Sequence, residues 1–304
     1  MFAIAIHGGA GTLSRGETSG DQEKLYLQGL ADALDAGFSL LEKGAGSLDA
    51  VTAAVVSLED NPLFNAGRGA VLTRDGLAEL DASIMDGRTL AAGAVCGLRH
   101  IRNPVTLARR VMEQSPHVML VGQGAEEFAR TQGVDFVSNE YFRTDIRQKQ
   151  LHRLLQGAAE KENDLVAHSM GTVGAVALDS SGNVAAATST GGMTGKRWGR
   201  IGDSPVIGAG TYASNAGCAV SATGHGEYFI RTVVAHDICA QMQYAKASLA
   251  EATRGTLARM KALGGNGGVI AIAPGGEIVL DFNSEGMFRG VRTSAGRDEV
   301  SIYR

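Results

Sequence analysis

The chain has 304 residues, of which 44% are hydrophobic and 20% are charged, and its formal net charge is −4. This composition is typical of a globular protein with a sizeable core, and the charge gives no electrostatic reason to expect nucleic acid or an anionic membrane as a partner. Glycine is unusually abundant, with 42 residues, and this abundance indicates many tight turns and close backbone approaches.

The three cysteines, Cys96, Cys218 and Cys239, lie far apart in the sequence and form no Cys-x-x-Cys pair. We therefore expect buried free thiols in a reducing compartment, with neither a disulfide framework nor a thiolate zinc site. The N-terminal sequence MFAIAIHGGAG lacks the basic segment of a signal peptide. No stretch reaches the roughly 18 apolar residues that a membrane span needs. These features predict a cytoplasmic protein.

The first third of the chain predicts a strand and two helices. FAIAI is a short β-type run that leads into a predicted glycine turn, HGGAG. Residues 21–43 carry apolar side chains at helical spacing. Ser47 is a suitable cap for a second helix that runs through Leu58. The next segment, NPLFNAGRGAVLT, is predicted to be a loop that leads into a strand.

Three β-hairpins are predicted along the rest of the chain. The first covers residues 79–98, the second joins TVGAVALD to NVAAATST, and the third joins GGVIAIA to EIVLDFN. Asn103 and Pro104 open a helix as cap and first-turn proline. HVMLVG reads as a strand, and residues 141–164 as a helix that loses its pattern. CAVSATGHGE predicts a strand that enters one further helix from about Glu227.

Antiparallel strands that are apolar on both faces, with helices between them, imply sheets that are covered on both sides. The predicted fold class is therefore α+β, a four-layer αββα sandwich of two mainly antiparallel sheets. We predict one domain over residues 1–304. Its obvious weak point is the linker just before Thr172, which divides the chain into residues 1–171 and 172–304.

The pair Gly171-Thr172 offers a specific chemistry if the bond between the two residues is cut. Cleavage would give Thr172 a free α-amino group beside its own hydroxyl. Such an amine, with an intrinsic pKa of about 7.7–8.0, can act as a general base and activate the hydroxyl. Gly171 has no Cβ atom, so the hydroxyl can approach its carbonyl. A hairpin strand that merely begins with Gly-Thr is the alternative, and the neighbouring motifs decide between the two.

Three later motifs supply partners for this chemistry. TSTGG ends the return strand of the same hairpin and brings Thr190 beside the candidate nucleophile. GRIGDSP carries Arg200 and Asp203, which would recognise the α-carboxylate and the α-ammonium of an amino acid, although such a pair can equally be a loop salt bridge. SATGHGE presents the hydroxyl of Thr223 and a glycine N–H to an oxyanion.

These motifs together resemble those of a known family. GTVGAVALD, TSTGGMTGKRWGRIGDSP, YASN and TGHGE, with IHGGAG and NPLFNAGRGA upstream, are similar to the plant-type L-asparaginase/isoaspartyl peptidase family of N-terminal-nucleophile (Ntn) hydrolases. The resemblance covers nearly the whole chain. It implies the αββα fold and self-cleavage into two subunits that stay together, as a dimer of cleaved αβ pairs (a heterotetramer). It also implies hydrolysis of L-asparagine and of β-aspartyl (isoaspartyl) dipeptides.

The resemblance also implies catalytic roles for the matching residues. Cleavage falls between Gly171 and Thr172, and Thr172 is the nucleophile both in self-cleavage and in turnover. Thr190 hydrogen-bonds to the nucleophile and tunes it. Thr223 and the N–H of Gly224 form the oxyanion hole.

Substrate binding and a structural ion are implied in the same way. Arg200 binds the substrate α-carboxylate, while Asp203 and the carbonyl of Gly226 take its α-ammonium. The loop 58–68 matches the family's sodium-binding loop, and the sodium is structural, so no cofactor is expected for catalysis. The implied ligands are the backbone carbonyls of Leu58, Glu59, Asn61, Phe64, Ala66 and Arg68.

Three other functions remain as alternatives. A glycosylasparaginase shares the fold and the chemistry, but that group usually has Asp before its threonine and enters the secretory pathway. Gly171 and the missing signal peptide argue against it. A nucleotide- or phosphate-binding module would rest on HGGAG or GGNGG, yet neither segment forms G-x-G-x-x-G or a Walker loop. A silent, uncleaved homologue that serves as an interaction scaffold is the third alternative.

Overall fold

The computed structural model describes residues 1–11, 20–157 and 171–304. The first two segments contain β1 (Ala3–Gly11), α1 (Gly20–Glu42), α2 (Ser47–Asp60), β2 (Leu80–Asp86), β3 (Ala92–Leu98), α3 (Pro104–Gln114), β4 (Met119–Val121), α4 (Gly122–Thr131) and α5 (Asp145–Gly157). The last segment contains β5 (Val173–Leu178), β6 (Val184–Thr190), β7 (Thr211–Ala213), β8 (Ala219–Gly224), α6 (Gly226–Thr232), α7 (Val234–Ala245), α8 (Leu249–Ala262), β9 (Gly267–Ile272), β10 (Ile278–Phe282), β11 (Gly286–Thr293) and β12 (Asp298–Tyr303). Short 3-10 turns lie at Gly67–Gly69 and Asn139–Phe142.

The strands form two sheets that pack face to face. The larger has the order β12-β11-β1-β5-β6-β2-β3-β4, and the smaller has the order β10-β9-β8-β7. Strands β1, β5 and β6 contact β8, and β2 contacts β7. Helices α1, α2 and α3 cover the outer face of the larger sheet, while α7 and α8 cover the smaller one. The predicted four-layer αββα sandwich is confirmed.

Three apolar layers hold the four layers of structure together. Leu34, Val51 and Leu107 represent the layer between the first helices and the larger sheet. Val176 and Ile270 belong to the layer between the sheets, and a third layer lies beneath α7 and α8. Each sheet is therefore buried on both faces, which explains why β5 and β6 are buried at every position.

Several local predictions are confirmed, but the prediction for HGGAG is wrong. Helix α1 matches the predicted helix to within one residue at each end, and the three predicted hairpins are β2–β3, β5–β6 and β9–β10. HGGAG is not a turn, because β1 continues through it to Gly11. Pairing with β11 holds the strand extended, and a bulge between His7 and Gly9 accommodates a shift in the pairing register.

The two predicted helix caps are also replaced by distant side chains. Gly46, not Ser47, occupies the cap position of α2, and the Ser47 N–H donates to Oδ2 of Asp179 at 3.1 Å. Asn103 does precede α3 but its side chain makes no cap bond. The second residue of α3 instead donates its N–H to Oε1 of Glu59 at 3.0 Å. Both caps thus come from residues distant in the sequence.

The predicted helix after β8 is in fact two helices. Val233 adopts a left-handed conformation with φ of 49°, which ends α6 and lets α7 start in a new direction. Strand β7, helices α4 and α8 and the final hairpin β11–β12 were not predicted, although the capping box of Ser248 and Glu251 marks the start of α8. Helix α5 covers part of the predicted helix 141–164, and the linker before Thr172 lies outside the described residues.

The structure buries all three cysteines, and they are free thiols. Cys96 lies on β3, Cys218 lies just before β8, and Cys239 lies on α7. Within residues 1–11, 20–157 and 171–304, no helix combines the length and the apolar character that a bilayer crossing would require.

Gly93 on β3 gives a test of how closely α3 approaches the larger sheet. A Cβ atom at this position would overlap the carbonyl oxygen of Ala108, which belongs to the helix backbone. Since strand and helix must separate to make room, we expect Gly93→Ala to lower the free energy of unfolding by about 1–3 kcal/mol. Gly124→Ala on α4, where nothing lies within 4 Å, is the control and should be neutral or slightly stabilising. Equal thermal midpoints for the two variants would contradict this packing.

Candidate active site

Most of the residues predicted to act on a substrate line one small pocket. It lies where β5 begins, β6 ends and β8 ends, with the loop after β6 forming the remaining wall. The lining residues are Gly171, Thr172, Thr190, Gly192, Met193, Arg200, Gly202, Asp203, Ser204 and Gly224. Thr223 and Gly226 do not line the pocket but adjoin residues that do. The fold thus brings together residues more than 50 positions apart.

A chain of hydroxyl hydrogen bonds connects Thr172 to its own preceding carbonyl. The β5–β6 register pairs Val173 with Ser189, so that Thr172 comes to lie beside Thr190. The Thr172 hydroxyl donates to Oγ1 of Thr190 at 3.1 Å, and that hydroxyl donates to the carbonyl oxygen of Gly171 at 3.2 Å. Thr190 can therefore accept a proton from the first group while it gives one to the second.

Asn65 is a residue of this site that the sequence reasoning missed. Its Nδ2 donates to the carbonyl oxygens of Gly171 at 2.6 Å and of Gly192 at 2.8 Å. Its Oδ1 accepts the N–H of Val71 at 2.9 Å, which fixes the orientation of the amide. The Gly171 carbonyl thus receives two hydrogen bonds, one from Asn65 and one from Thr190, and both donors would stabilise negative charge on it.

Arg200 and Asp203 both line the pocket, but they do not pair with each other. Arg200 forms a bidentate ion pair with Glu227, through Nε and Nη2 at 2.9 Å each. Its Nη1 lies beside Gly192 at the pocket wall. Glu227 was expected only as the start of a helix, so its role as the partner of Arg200 is new. The alternative of a loop salt bridge between Arg200 and Asp203 is not what the structure contains.

Asp203 is a buried carboxylate whose second oxygen is unsatisfied. The residue is only 4% exposed, and its Oδ2 has no hydrogen-bond partner in the part of the chain that the structure describes. Burial raises the pKa of Asp203 to about 7, while the neighbouring Arg200 charge opposes this rise. A buried carboxylate that lines a small pocket and has one oxygen without a donor is well suited to receive an ammonium group.

The remaining predicted residues adjoin these groups. Gly226 begins α6, and a Cβ atom there would lie 2.8 Å from Oδ1 of Asp203, so only glycine fits. The Thr223 hydroxyl accepts the N–H of Ala10 at 3.2 Å, which leaves its proton available for another acceptor. Gly224, the next residue, lines the pocket. The roles of these residues stay predictions.

A family model described as Asparaginase matches residues 1–302. The chain belongs to the asparaginase family. It is 54% identical to an isoaspartyl peptidase of Escherichia coli K12, over 99% of this chain and 96% of that one. A human isoaspartyl peptidase/L-asparaginase is 43% identical over 93% of this chain and 91% of its own. A probable isoaspartyl peptidase/L-asparaginase 2 of Arabidopsis thaliana is 42% identical over 99% of both chains.

The predicted sodium loop of this asparaginase-family chain has closely packed main chain at two glycines. At Gly67 a Cβ atom would overlap the carbonyl oxygen of Glu59, and at Gly69 it would overlap that of Phe64. The two glycines therefore let the loop backbone come close to two of the carbonyl groups in the predicted ligand set. Carbonyl oxygens are the ligands that such cations prefer. The described residues hold no cluster of three or more His, Cys, Asp or Glu side chains fit for a metal.

Glu59 also has a role that the sequence did not indicate. Its side chain is fully buried, and Oε1 accepts from the Ser189 hydroxyl at 2.6 Å and from the N–H of Val105 at 3.0 Å. Burial raises its pKa to about 8. In this member of the asparaginase family the residue thus connects α2 to α3 and to β6, the strand that carries Thr190.

Proposed function

We propose that this protein is a threonine-nucleophile amidohydrolase. Its substrates are β-aspartyl (isoaspartyl) dipeptides and L-asparagine, both of which it converts to aspartate, after it has cut its own chain between Gly171 and Thr172. One observation carries the proposal: a threonine hydroxyl, an arginine and an unsatisfied buried carboxylate meet in one small pocket. The printed names of the relatives, isoaspartyl peptidase and isoaspartyl peptidase/L-asparaginase, support the choice of substrates.

Self-cleavage begins with attack of the Thr172 hydroxyl on the carbonyl carbon of Gly171. The hydroxyl proton passes to Oγ1 of Thr190, which gives its own proton to the Gly171 oxygen, while Asn65 Nδ2 at 2.6 Å stabilises the charge that develops on that oxygen. Collapse of this intermediate breaks the peptide C–N bond, and the departing nitrogen takes up that same proton. The product is an ester between Gly171 and Thr172, which water hydrolyses. Thr172 then has a free amine and a free hydroxyl.

Turnover uses the same threonine. The substrate α-ammonium pairs with Oδ2 of Asp203, and its α-carboxylate takes the Nη1 side of Arg200. The Thr172 amine accepts the hydroxyl proton as the oxygen attacks the side-chain amide carbon. The Thr223 hydroxyl and the Gly224 N–H stabilise the oxyanion. Ammonia or an amino acid leaves with the proton, and water then hydrolyses the β-aspartyl ester to aspartate.

The ion pair with Glu227 still leaves Arg200 able to bind a carboxylate. A guanidinium has five N–H donors in a fixed fork, and the bonds to Glu227 use only Nε and Nη2. Nη1 faces the pocket wall at Gly192. Glu227 therefore holds the guanidinium in place and leaves one edge for the substrate, so that less side-chain entropy is lost on binding.

A structural cation in the loop 58–68 is part of the same proposal. Its ligands would be the backbone carbonyls predicted above, and it would stiffen the loop that carries Asn65 rather than take part in a reaction step. The cleaved αβ pairs would assemble as a dimer. Native mass spectrometry checks both points, because it reports the stoichiometry of the assembly and any retained ion.

The most direct experiment combines intact mass with product analysis. Two fragments, the smaller beginning at Thr172, would support self-cleavage at the proposed bond. The purified protein should release aspartate from L-asparagine and from β-aspartyl dipeptides. The isomeric α-aspartyl dipeptides are the control, because their scissile carbonyl sits at a different distance from the ammonium. An intact chain that releases no aspartate would contradict the proposal and favour the silent scaffold.

The raised pKa of Asp203 predicts a pH-dependent KM. Below pH 7 the carboxyl is protonated and neutral, so it attracts the substrate ammonium only weakly. Above pH 7 it is a carboxylate, so KM for L-asparagine should fall as the pH rises through about 7. Steady-state kinetics between about pH 5.5 and 8.5 measure this change. A KM that stays constant across the range would contradict the assignment of Asp203.

A further inference from the structure

A continuous row of polar side chains crosses the interior between the two sheets, behind Thr172. It runs through an otherwise apolar layer, and every member is completely buried. The members are His7 on β1, Ser221 on β8, Thr188 on β6, Thr211 on β7 and Ser83 on β2. None of them lines the pocket formed by the described residues, so they do not touch a substrate directly.

The hydrogen bond between His7 and Thr172 determines which group is the donor in the other contacts of the row. Nδ1 of His7 lies 2.9 Å from the carbonyl oxygen of Thr172, which can only accept, so Nδ1 carries the proton. Burial lowers the pKa of His7 to about 3, and the ring is therefore neutral with a bare Nε2. Nε2 lies 2.9 Å from the Ser221 hydroxyl, which must then donate to it.

The same reasoning extends to the other end of the row. Because Ser221 has given its proton to the ring, it accepts from Thr188 at 2.6 Å, and Thr188 accepts from Thr211 at 2.6 Å. Ser83 completes the row, with its hydroxyl 2.7 Å from Oγ1 of Thr211 and 2.6 Å from the carbonyl oxygen of Ser204. Each hydroxyl has one proton, so every hydrogen bond between Thr211 and His7 is donated in the same direction, towards Thr172.

The two ends of the row bind main-chain groups of residues that line the pocket. One end holds the main chain of Thr172, and the other holds Ser204, the neighbour of Asp203. Space for the row is made by Gly174 on β5, where a Cβ atom would overlap the Ser221 hydroxyl and His7 Nε2. A buried polar group without a partner costs about 1–3 kcal/mol, and removal of one member of the row leaves the next without a hydrogen-bond partner.

We propose that this hydroxyl–histidine row positions the nucleophile, by holding the Thr172 main chain at a fixed distance from the Asp203–Ser204 loop that binds substrate. Its five members are positioning residues that act through Thr172. The inference rests on the proposed function for the identity of the nucleophile. Because the reacting atoms must be held closely, a shift of about 1 Å at such a site can reduce the rate about 100-fold.

Thr188 allows a matched pair of variants. Thr188→Val keeps the shape of the side chain and removes only the hydroxyl, which leaves Ser221 without a donor. We expect kcat for L-asparagine to fall about 10- to 100-fold, with KM changed about twofold or less because Arg200 and Asp203 are untouched. Thr188→Ser restores the hydroxyl and should restore kcat to within about threefold of the wild type. A loss of stability alone would not produce a lower kcat with a nearly unchanged KM that Thr188→Ser restores.

The rate of self-cleavage, followed by intact mass, is a second readout of the same placement. It should be slowed in Thr188→Val and restored in Thr188→Ser. If the valine variant fails to fold, Ser83→Ala at the far end of the row gives the same comparison, with an expected decrease in kcat of about three- to tenfold.

The outcomes separate this inference from the proposed function. A wild type that cleaves itself and releases aspartate, together with a folded Thr188→Val that has unchanged kcat and cleavage rate, overturns the positioning role alone. A serine variant that stays as slow as the valine variant overturns it too, because the hydroxyl would then not be the cause. A wild type that neither cleaves itself nor releases aspartate overturns both proposals.

Discussion

Replacing Thr172 by alanine should leave a single uncut chain of 31.5 kDa that hydrolyses neither L-asparagine nor β-aspartyl dipeptides. Alanine has no oxygen to attack the Gly171 carbonyl, and it supplies no nucleophile for a substrate. Loss of a nucleophile typically reduces turnover by on the order of 10⁴- to 10⁶-fold. Intact mass and a gel measure the cleavage, and the release of aspartate measures the activity.

Thr172→Ser is the control for this prediction, because it retains the hydroxyl and loses only a methyl group. It should still be cut and keep part of the activity. The alanine variant should fold, since the Thr172 hydroxyl donates to Thr190 at the pocket surface and is not part of the core. An alanine variant that splits at the same bond would show that another group performs the cleavage, and Thr172 would lose its assigned role.

Asp203→Asn should reduce kcat/KM for L-asparagine by about 10²- to 10³-fold. The substitution keeps the shape of the side chain but removes the charge, so the substrate ammonium would be buried without a counter-charge. Loss of one partner of a buried ion pair costs about 3–5 kcal/mol, and each 1.4 kcal/mol is about tenfold. The loss should fall mainly on KM, and the pH dependence of KM near 7 should disappear with the titrating carboxyl.

Two comparisons isolate the effect of Asp203. Self-cleavage should proceed as in the wild type, because Asp203 forms no hydrogen bond with Gly171 or Thr172 in the described structure. Succinamic acid, which is L-asparagine without its α-amino group, should be hydrolysed equally poorly by both proteins. If the variant loses as much activity on succinamic acid as on L-asparagine, then Asp203 acts on something other than the ammonium.

The layered architecture could be predicted from the sequence because burial on both faces leaves a local signal. The apolar runs of β5, β6 and β9 and the short turns between paired strands are visible within a few residues. What the sequence did not reveal depends on distant partners. HGGAG continues β1 because β11, about 280 positions later, pairs with it. Ser47 needs no cap role because Asp179 meets its N–H.

The residues of the candidate site show the same difference between local sequence signals and distant partners. The sequence could mark Thr172, Thr190, Arg200 and Asp203 as candidates because each lies in a motif at the end of a strand or in a glycine-broken loop. The partner of Arg200 could not, because a charged residue in the first turn of α6 looks like any helix start. Asn65 lies in the loop 58–68, which was interpreted as a sodium-binding loop, so its side chain was not considered for the site. A histidine near the start of the chain gives no sign that it will touch Thr172.

The strand order of the larger sheet has a consequence for how the protein can be made. The proposed cut before Thr172 would leave strands β1 to β4 of this sheet on one piece and β5, β6, β11 and β12 on the other, yet β1 lies between β11 and β5, and β6 lies beside β2. Neither piece would hold the larger sheet as a continuous unit, so the intact precursor would be the folding unit. If the proposed cut occurs, a denatured enzyme would have to reassemble from two interleaved chains in a second-order reaction. Its lifetime would then depend on how slowly it unfolds.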